Sequence, residues 1–267
     1  MSRSQPRLTS PVTRIFEWSG SKGELTYWDR EQSARLPVAL PFEFLVLDQL
    51  ATVTGYSSDA NYRIWANEIR PEDLKTEPLT VRTKGQVLYE GLYSKGMGGR
   101  EFGYTQAIYI AYLNEVSGEY EIGKLMAAGS TRGAWFDFRK TCNVENGKVI
   151  LTGRGELAKN GATQWYPPVF AWDHSDKQQD DIAIRLDKQL QQYLAGYFKA
   201  ARTEREESVY VMDDDMQTTT DDRTDLLPPD EVTGDPEFDS LLAAGTNTDI
   251  KPEDLPFSPR SDKEGGA

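Results

Sequence analysis

Arg14-Ile15-Phe16-Glu17-Trp18, Ser19-Gly20-Ser21-Lys22-Gly23 and Glu24-Leu25-Thr26-Tyr27-Trp28 follow one another without a break. Two short runs rich in aromatic and branched residues, separated by small and polar residues with two glycines, have the pattern of a β-hairpin. The pattern continues outward from it. Candidate strands lie at Phe42 to Leu47, Tyr62 to Ile69, Leu79 to Thr83, Gln86 to Tyr93, Thr105 to Leu113, Tyr120 to Leu125, Ala134 to Lys140, Lys148 to Thr152 and Trp165 to Trp172. Most are built from residues that suit a pleated, half-buried surface. Ser117-Gly118 and Asn146-Gly147 suit tight turns between antiparallel strands. About eleven strands, with no intervening helical stretch long enough for a crossover, predict a mostly β chain folded as an antiparallel barrel or sandwich, not a doubly wound parallel sheet. Ile108, Ile110, Tyr112, Phe136 and Phe138 are assigned to its core.

One helix is expected after the strands. Ile182, Leu186, Leu190, Tyr193, Leu194 and Tyr197 recur at three- and four-residue spacing, and Asp180-Asp181 offers an acidic start, which predicts a helix over 180–202. Its apolar stripe packs on the sheet or on a second copy of the chain, making a homodimer. Beyond it the composition changes. Residues 1–200 carry 24 Lys and Arg against 24 Asp and Glu, whereas residues 201–267 carry 6 against 19, so the formal charge of −13 belongs to the tail. Stretches such as Met212-Asp213-Asp214-Asp215 and Pro228-Pro229-Asp230-Glu231 lack the apolar content that would offset chain entropy. The chain thus divides into a flexible lead over 1–11, a folded domain over 12–202 and a disordered acidic tail over 203–267.

Composition narrows the chemistry. Cys142 is the only cysteine and His174 the only histidine, which excludes an intramolecular disulfide and leaves no Cys/His zinc cluster. His174, within Trp172-Asp173-His174-Ser175-Asp176, is expected in a solvated loop, and Cys142 as a small, partly buried structural side chain. Pro71-Glu72-Asp73-Leu74-Lys75 has a passing likeness to a metal-dependent nuclease motif, but a proline followed by two acids also opens a short helix. No enzyme, metal or cofactor is expected. No apolar run reaches membrane-spanning length, since Leu36 to Leu47 is broken by Pro37, Pro41 and Glu43. Met1 to Ser10 has no apolar signal region, so an intracellular, cytoplasmic protein is expected.

The aromatic residues carry the functional expectation once the strands are split into faces. Alternation sets Arg63 and Trp65 together, opposite Tyr62 and Ile64. The same split puts Trp28 with Thr26 and Arg30, Trp135 with Asp137 and Arg139, and Tyr89 and Tyr93 with Lys95. Flat rings stack on unpaired bases while Arg and Lys meet the phosphates between them, which is what a face for single-stranded nucleic acid requires. Buried tryptophans and tyrosines of an ordinary β-sandwich are the competing assignment. Gly96 to Gly103, with Arg100 and the neighbouring Lys95, forms either a loop that closes over a strand or a plain hairpin tip, and Gly129-Ser130-Thr131-Arg132-Gly133 has the same two readings. Gly96 to Gly103 lacks the Gly-Lys-Ser/Thr ending of a phosphate loop.

Near the end of the tail stands Glu253-Asp254-Leu255-Pro256-Phe257. This motif resembles the tail tip of bacterial-type single-stranded DNA-binding proteins, where acidic residues precede a hydrophobic-Pro-Phe ending after a disordered linker. The resemblance implies an OB-fold barrel that holds single-stranded DNA, and a tip that docks on replication and recombination proteins. Glu253 and Asp254 would supply charge, Leu255 and Pro256 an apolar shoulder and Phe257 the anchor. Members of that family usually end at the Phe, whereas here Ser258 to Ala267 follow. The expectation is therefore an elaborated OB-like antiparallel barrel with one C-terminal helix and a recruiting tail, in a bacterial or phage-infected cell. It would bind single-stranded DNA without sequence preference, with RNA open as a ligand. The alternative is a virion-type assembly protein whose acidic tail binds a partner.

Overall fold

The computed structural model describes residues 9–57, 62–84, 86–94 and 101–214, with side chains through 201. The hairpin that opens the chain is β1 (Val12–Ser19) and β2 (Glu24–Asp29), joined through Gly23 at φ +69°. β3 (Ala34–Pro37), β4 (Phe42–Ser57), β5 (Tyr62–Ala66), β6 (Leu79–Thr83), β7 (Gln86–Gly91), β8 (Phe102–Asn114) and β9 (Glu119–Ala128) follow. Then come helix α1 (Gly129–Arg139), β10 (Lys148–Arg154), β11 (Ala158–Asn160), β12 (Thr163–Trp165), β13 (Pro168–Asp173) and helix α2 (Lys177–Asp214). The chain is mostly β, and one sheet runs β3-β2-β1-β9-β8-β4-β5-β6-β7, with β10 paired to β4 and to β13. β11 and β12 form a separate hairpin. Among the described residues no pairing joins β3 to β7, so backbone hydrogen bonds do not close the sheet. It is not wholly antiparallel either, because β1 lies parallel to β9.

Long β4 organises the rest. Its first residues pair with β10, its last with β5, and its other edge with β8 from Phe44 to Gly55. The expected strand over Phe42 to Leu47 is thus only the start of a longer one. Asp48 and Gln49 look like a break but sit at a register shift after Val46. Both are satisfied: Asp48 accepts from Arg70 at 2.7 and 2.8 Å, and Gln49 pairs with Gln106 at 2.9 Å.

Two apolar layers sandwich the sheet, as strand alternation requires when both faces are covered. One gathers Phe16, Phe44, Ile108, Ile110, Tyr112, Leu125, Leu151 and Trp135. The other gathers Leu45, Leu50, Ala107, Tyr109, Ala111 and Ile122 beneath Leu186, Leu190 and Leu194 of α2. The helical stripe therefore covers the chain's own sheet. α2 begins earlier than expected, with a capping box. The Asp176 carboxylate accepts from the Gln179 N–H at 2.8 Å, and the Gln179 side chain accepts from the Asp176 N–H at 3.0 Å. It also continues beyond 202 to Asp214, so 203–214 are helical rather than tail.

Ala134 to Lys140 is not a strand. Gly129 to Gly133 opens α1 instead of a loop, and Thr131, Trp135, Phe138 and Cys142 fall at helical spacing. Trp135 and Thr131 are buried, with Phe138 and Cys142 packed against the first layer. Phe136 is not core: it lies half-buried beneath the Lys140 ammonium at 4.4 Å. Asn146-Gly147 does not join two strands, since Val144–Asn146 is a single 3-10 turn between α1 and β10. Pro71–Asp73 forms the short helix that its proline and acids suggested, and His174 is exposed between β13 and α2. Among the described residues no helix is long and apolar enough to cross a membrane.

Candidate nucleic-acid interface

Residues opposite each other in a ladder share a face of the sheet, so the registers trace one surface across the strands. Glu17 of β1 pairs with Met126 of β9, Met126 with Ala107 of β8, and Ala107 with Leu50 of β4. Alternation along β4 carries the same face to Thr52, Thr54 and Tyr56. From there Thr54 pairs with Trp65 and Tyr56 with Arg63, and Trp65 in turn with Arg82 of β6. In the other direction Glu17 pairs with Thr26, two residues before Trp28, which pairs with Arg35. Leu50, Ala107 and Met126 lie under α2. The helix thus covers one part of this face and leaves the tryptophans open, Trp28 at 52% and Trp65 at 47% exposure.

The face is concave. β1 and β5 are four strand steps apart in the sheet, which on a flat sheet is about 19 Å, beyond the combined reach of a glutamate and an arginine. Yet Glu17 forms an ion pair with Arg63 of β5, and with Arg35 of β3 at 2.6 Å. Deeper on the same face, Glu68, just past β5, accepts from Lys124 of β9 and from the Tyr109 hydroxyl of β8, both at 2.5 Å. Burial and the Glu68 carboxylate push the Tyr109 hydroxyl well above the ordinary tyrosine range. Side chains thus bridge the roll at two levels where backbone pairing does not. Arg63 is held below its ordinary pKa by burial, though a guanidinium stays charged at neutral pH.

Trp28, Arg63 and Trp65 therefore lie on one face of the sheet, with Arg30 exposed in the turn after β2. Arg35, Tyr56 and Arg82 join them although sequence reasoning passed over all three; Tyr56 is exposed, as is Arg82. The signal for Arg35 and Arg82 was their place opposite a tryptophan, which needs the register. Tyr56 required β4 to be read to its full length.

The remaining candidates lie elsewhere. Trp135 is completely buried on α1, its indole N–H donating to the Gln49 side-chain oxygen at 3.1 Å, so it cannot stack on a base. Arg139 donates to the same oxygen at 3.0 Å, on the opposite face of the sheet, and burial lowers its pKa. Tyr89 pairs with buried Val81, which turns it away from Trp65 and Arg82, and its hydroxyl donates to the Leu92 carbonyl at 2.9 Å. Tyr93 packs edge-on against Tyr104, whose partner Val53 also faces away. Tyr104 is pushed up to about 12 by burial. Lys95, Arg100 and the tail tip Glu253 to Phe257 lie outside the described residues.

Two exposed indoles and an exposed phenol, interleaved with four arginines on a rolled sheet, can stack on flat apolar groups and neutralise anions between them. Among the described residues, no group of three His, Cys, Asp or Glu side chains gathers to hold a metal ion. No protein-family model, curated protein or solved structure matches the chain.

Proposed function

We propose that the chain binds single-stranded nucleic acid, DNA foremost, without sequence preference. In this reading the rolled sheet serves as an OB-like barrel, and the acidic tail recruits replication or recombination proteins in the cytoplasm of a bacterial or phage-infected cell. The observation that carries the reading is the pairing of each exposed ring with an arginine: Trp28 with Arg35, Trp65 with Arg82 and Tyr56 with Arg63. Rings take bases of any sequence, because every base has a flat face, and the arginines take the phosphates. A concave floor admits a flexible strand more readily than a stiff duplex.

Titration with oligothymidine should quench the tryptophan fluorescence. If about four phosphates are neutralised, log affinity should fall against log salt with a slope of about −3. An unchanged spectrum, a salt-independent interaction, or equal affinity for duplex of the same length contradicts the proposal. An oligouridine arm reports whether the face separates DNA from RNA.

The tail has its own test. Deleting Leu255 to Ala267 should leave oligothymidine affinity unchanged while abolishing capture of replication proteins on immobilised full-length chain. Unchanged capture removes the recruiting role. The assembly reading is favoured by one observation, the strand β7, which among the described residues pairs on one edge only and exposes Val87 and Leu88 on its two faces. It predicts oligomers in sedimentation without any nucleic acid.

A further inference from the structure

We propose that Glu17 is a built-in counter-ion occupying the place of a strand phosphate between Arg35 and Arg63, and that an incoming strand must displace it. This rests on the strand-binding reading above. The carboxylate is largely covered, its side chain 19% exposed, and each oxygen forms an ion pair with a different guanidinium group: Oε2 with Arg35 at 2.6 Å, and Oε1, which accepts no hydrogen bond, with Arg63. Those arginines come from opposite wings of the concave face. Each stands opposite an exposed ring, Arg35 beside Trp28 and Arg63 beside Tyr56.

A single negative charge with two acceptor oxygens, gripped by two forked cations with a flat ring on either side, has the arrangement of a phosphodiester between two stacked bases. A phosphodiester brings the same charge and two free oxygens. Glu17, tethered to β1, cannot diffuse away, so the strand exchanges one anion for another rather than filling an empty cationic site. The displaced carboxylate then stays close to the phosphate and repels it. Glu17 is thus a positioning residue with two effects. It holds both arginines aimed across the face, and it keeps the grip weak enough for a strand to be released.

Glu17→Gln keeps the size of the side chain and removes its charge. Oligothymidine affinity at low salt should rise on the order of tenfold, and the slope against log salt should steepen by about 0.7, the contribution of one more neutralised phosphate. Lower or unchanged affinity overturns the proposal and leaves Glu17 as a structural clasp. A second pair of variants decides the matter even if Glu17→Gln does not fold. Arg35→Gln leaves the carboxylate to neutralise Arg63 alone, so it should weaken oligothymidine binding more than Arg82→Gln does; equal losses contradict the clasp. If neither wild type nor Glu17→Gln binds oligothymidine, the strand reading fails, and inorganic polyphosphate judges the counter-ion by itself. The variant should then bind polyphosphate more tightly than wild type, and equal binding overturns it.

Discussion

Replacing Trp28 and Trp65 together by alanine should remove most of the affinity for an unpaired strand. Base stacking on an aromatic side chain contributes about 1 to 3 kcal/mol per base, so the pair should cost about 2 to 6 kcal/mol, at least on the order of thirtyfold in dissociation constant. The two rings stand on different strands, β2 and β5. Their losses should add approximately when each single variant is measured, as expected for sites without shared partners. Both are about half exposed, so thermal unfolding should change far less than binding. Anisotropy titration with labelled oligothymidine checks the first part and scanning calorimetry the second. Full affinity in the double variant contradicts the face; a large loss of stability shows that the rings support the fold instead.

Trp135→Ala should do the reverse. Trp135 is completely buried, its ring packed at 5.3 Å against Phe170, 5.7 Å against Phe138 and 6.3 Å against Phe44. Truncating a buried tryptophan costs about 3 to 5 kcal/mol from lost burial and the cavity left behind, a large share of the roughly 5 to 15 kcal/mol that holds a domain folded. Gln49 would also lose one of the three donors that meet its side-chain oxygen, while Gln106 and Arg139 remain. Urea denaturation should show the midpoint fall sharply. Where the variant is still folded, its affinity for oligothymidine should match wild type. Lost affinity at unchanged stability would return Trp135 to the contact surface.

These two tryptophan experiments mark where the sequence was legible. On β5, alternation correctly separated buried Ile64 from exposed Arg63 and Trp65, because each residue of a strand covered on one face must take a side. On β2 it likewise exposed Trp28. The same rule misled at Ala134-Trp135-Phe136-Asp137-Phe138-Arg139, where alternating aromatic and polar residues imitate a strand. The decisive period is there: Thr131, Trp135, Phe138 and Cys142 recur every three or four residues, and the two glycines at 129 and 133 made the segment look like a loop. The helix is held by tertiary burial of that stripe rather than by propensity.

Which rings meet which cations depended on pairing across strands far apart in sequence. Trp65 and Arg82 are separated by the Pro71–Asp73 turn, and Glu17 reaches Arg63 only because the sheet rolls. Neither fact is encoded locally. The roll itself follows from β4, whose 16 residues pair with β10 at one end and β5 at the other. Asp48-Gln49 hid that length, since a polar pair in a strand reads as its end unless its partners Arg70 and Gln106 are known.

The concave face can be tested directly by following the indole N–H resonances during an oligothymidine titration. The signals of Trp28 and Trp65 should shift in proportion to bound strand. Those of Trp18, bonded to the Tyr166 carbonyl at 2.7 Å, and Trp135, bonded to Gln49, should stay in place. Shifts confined to other indoles, or binding that leaves Trp28 and Trp65 unmoved, would contradict the account.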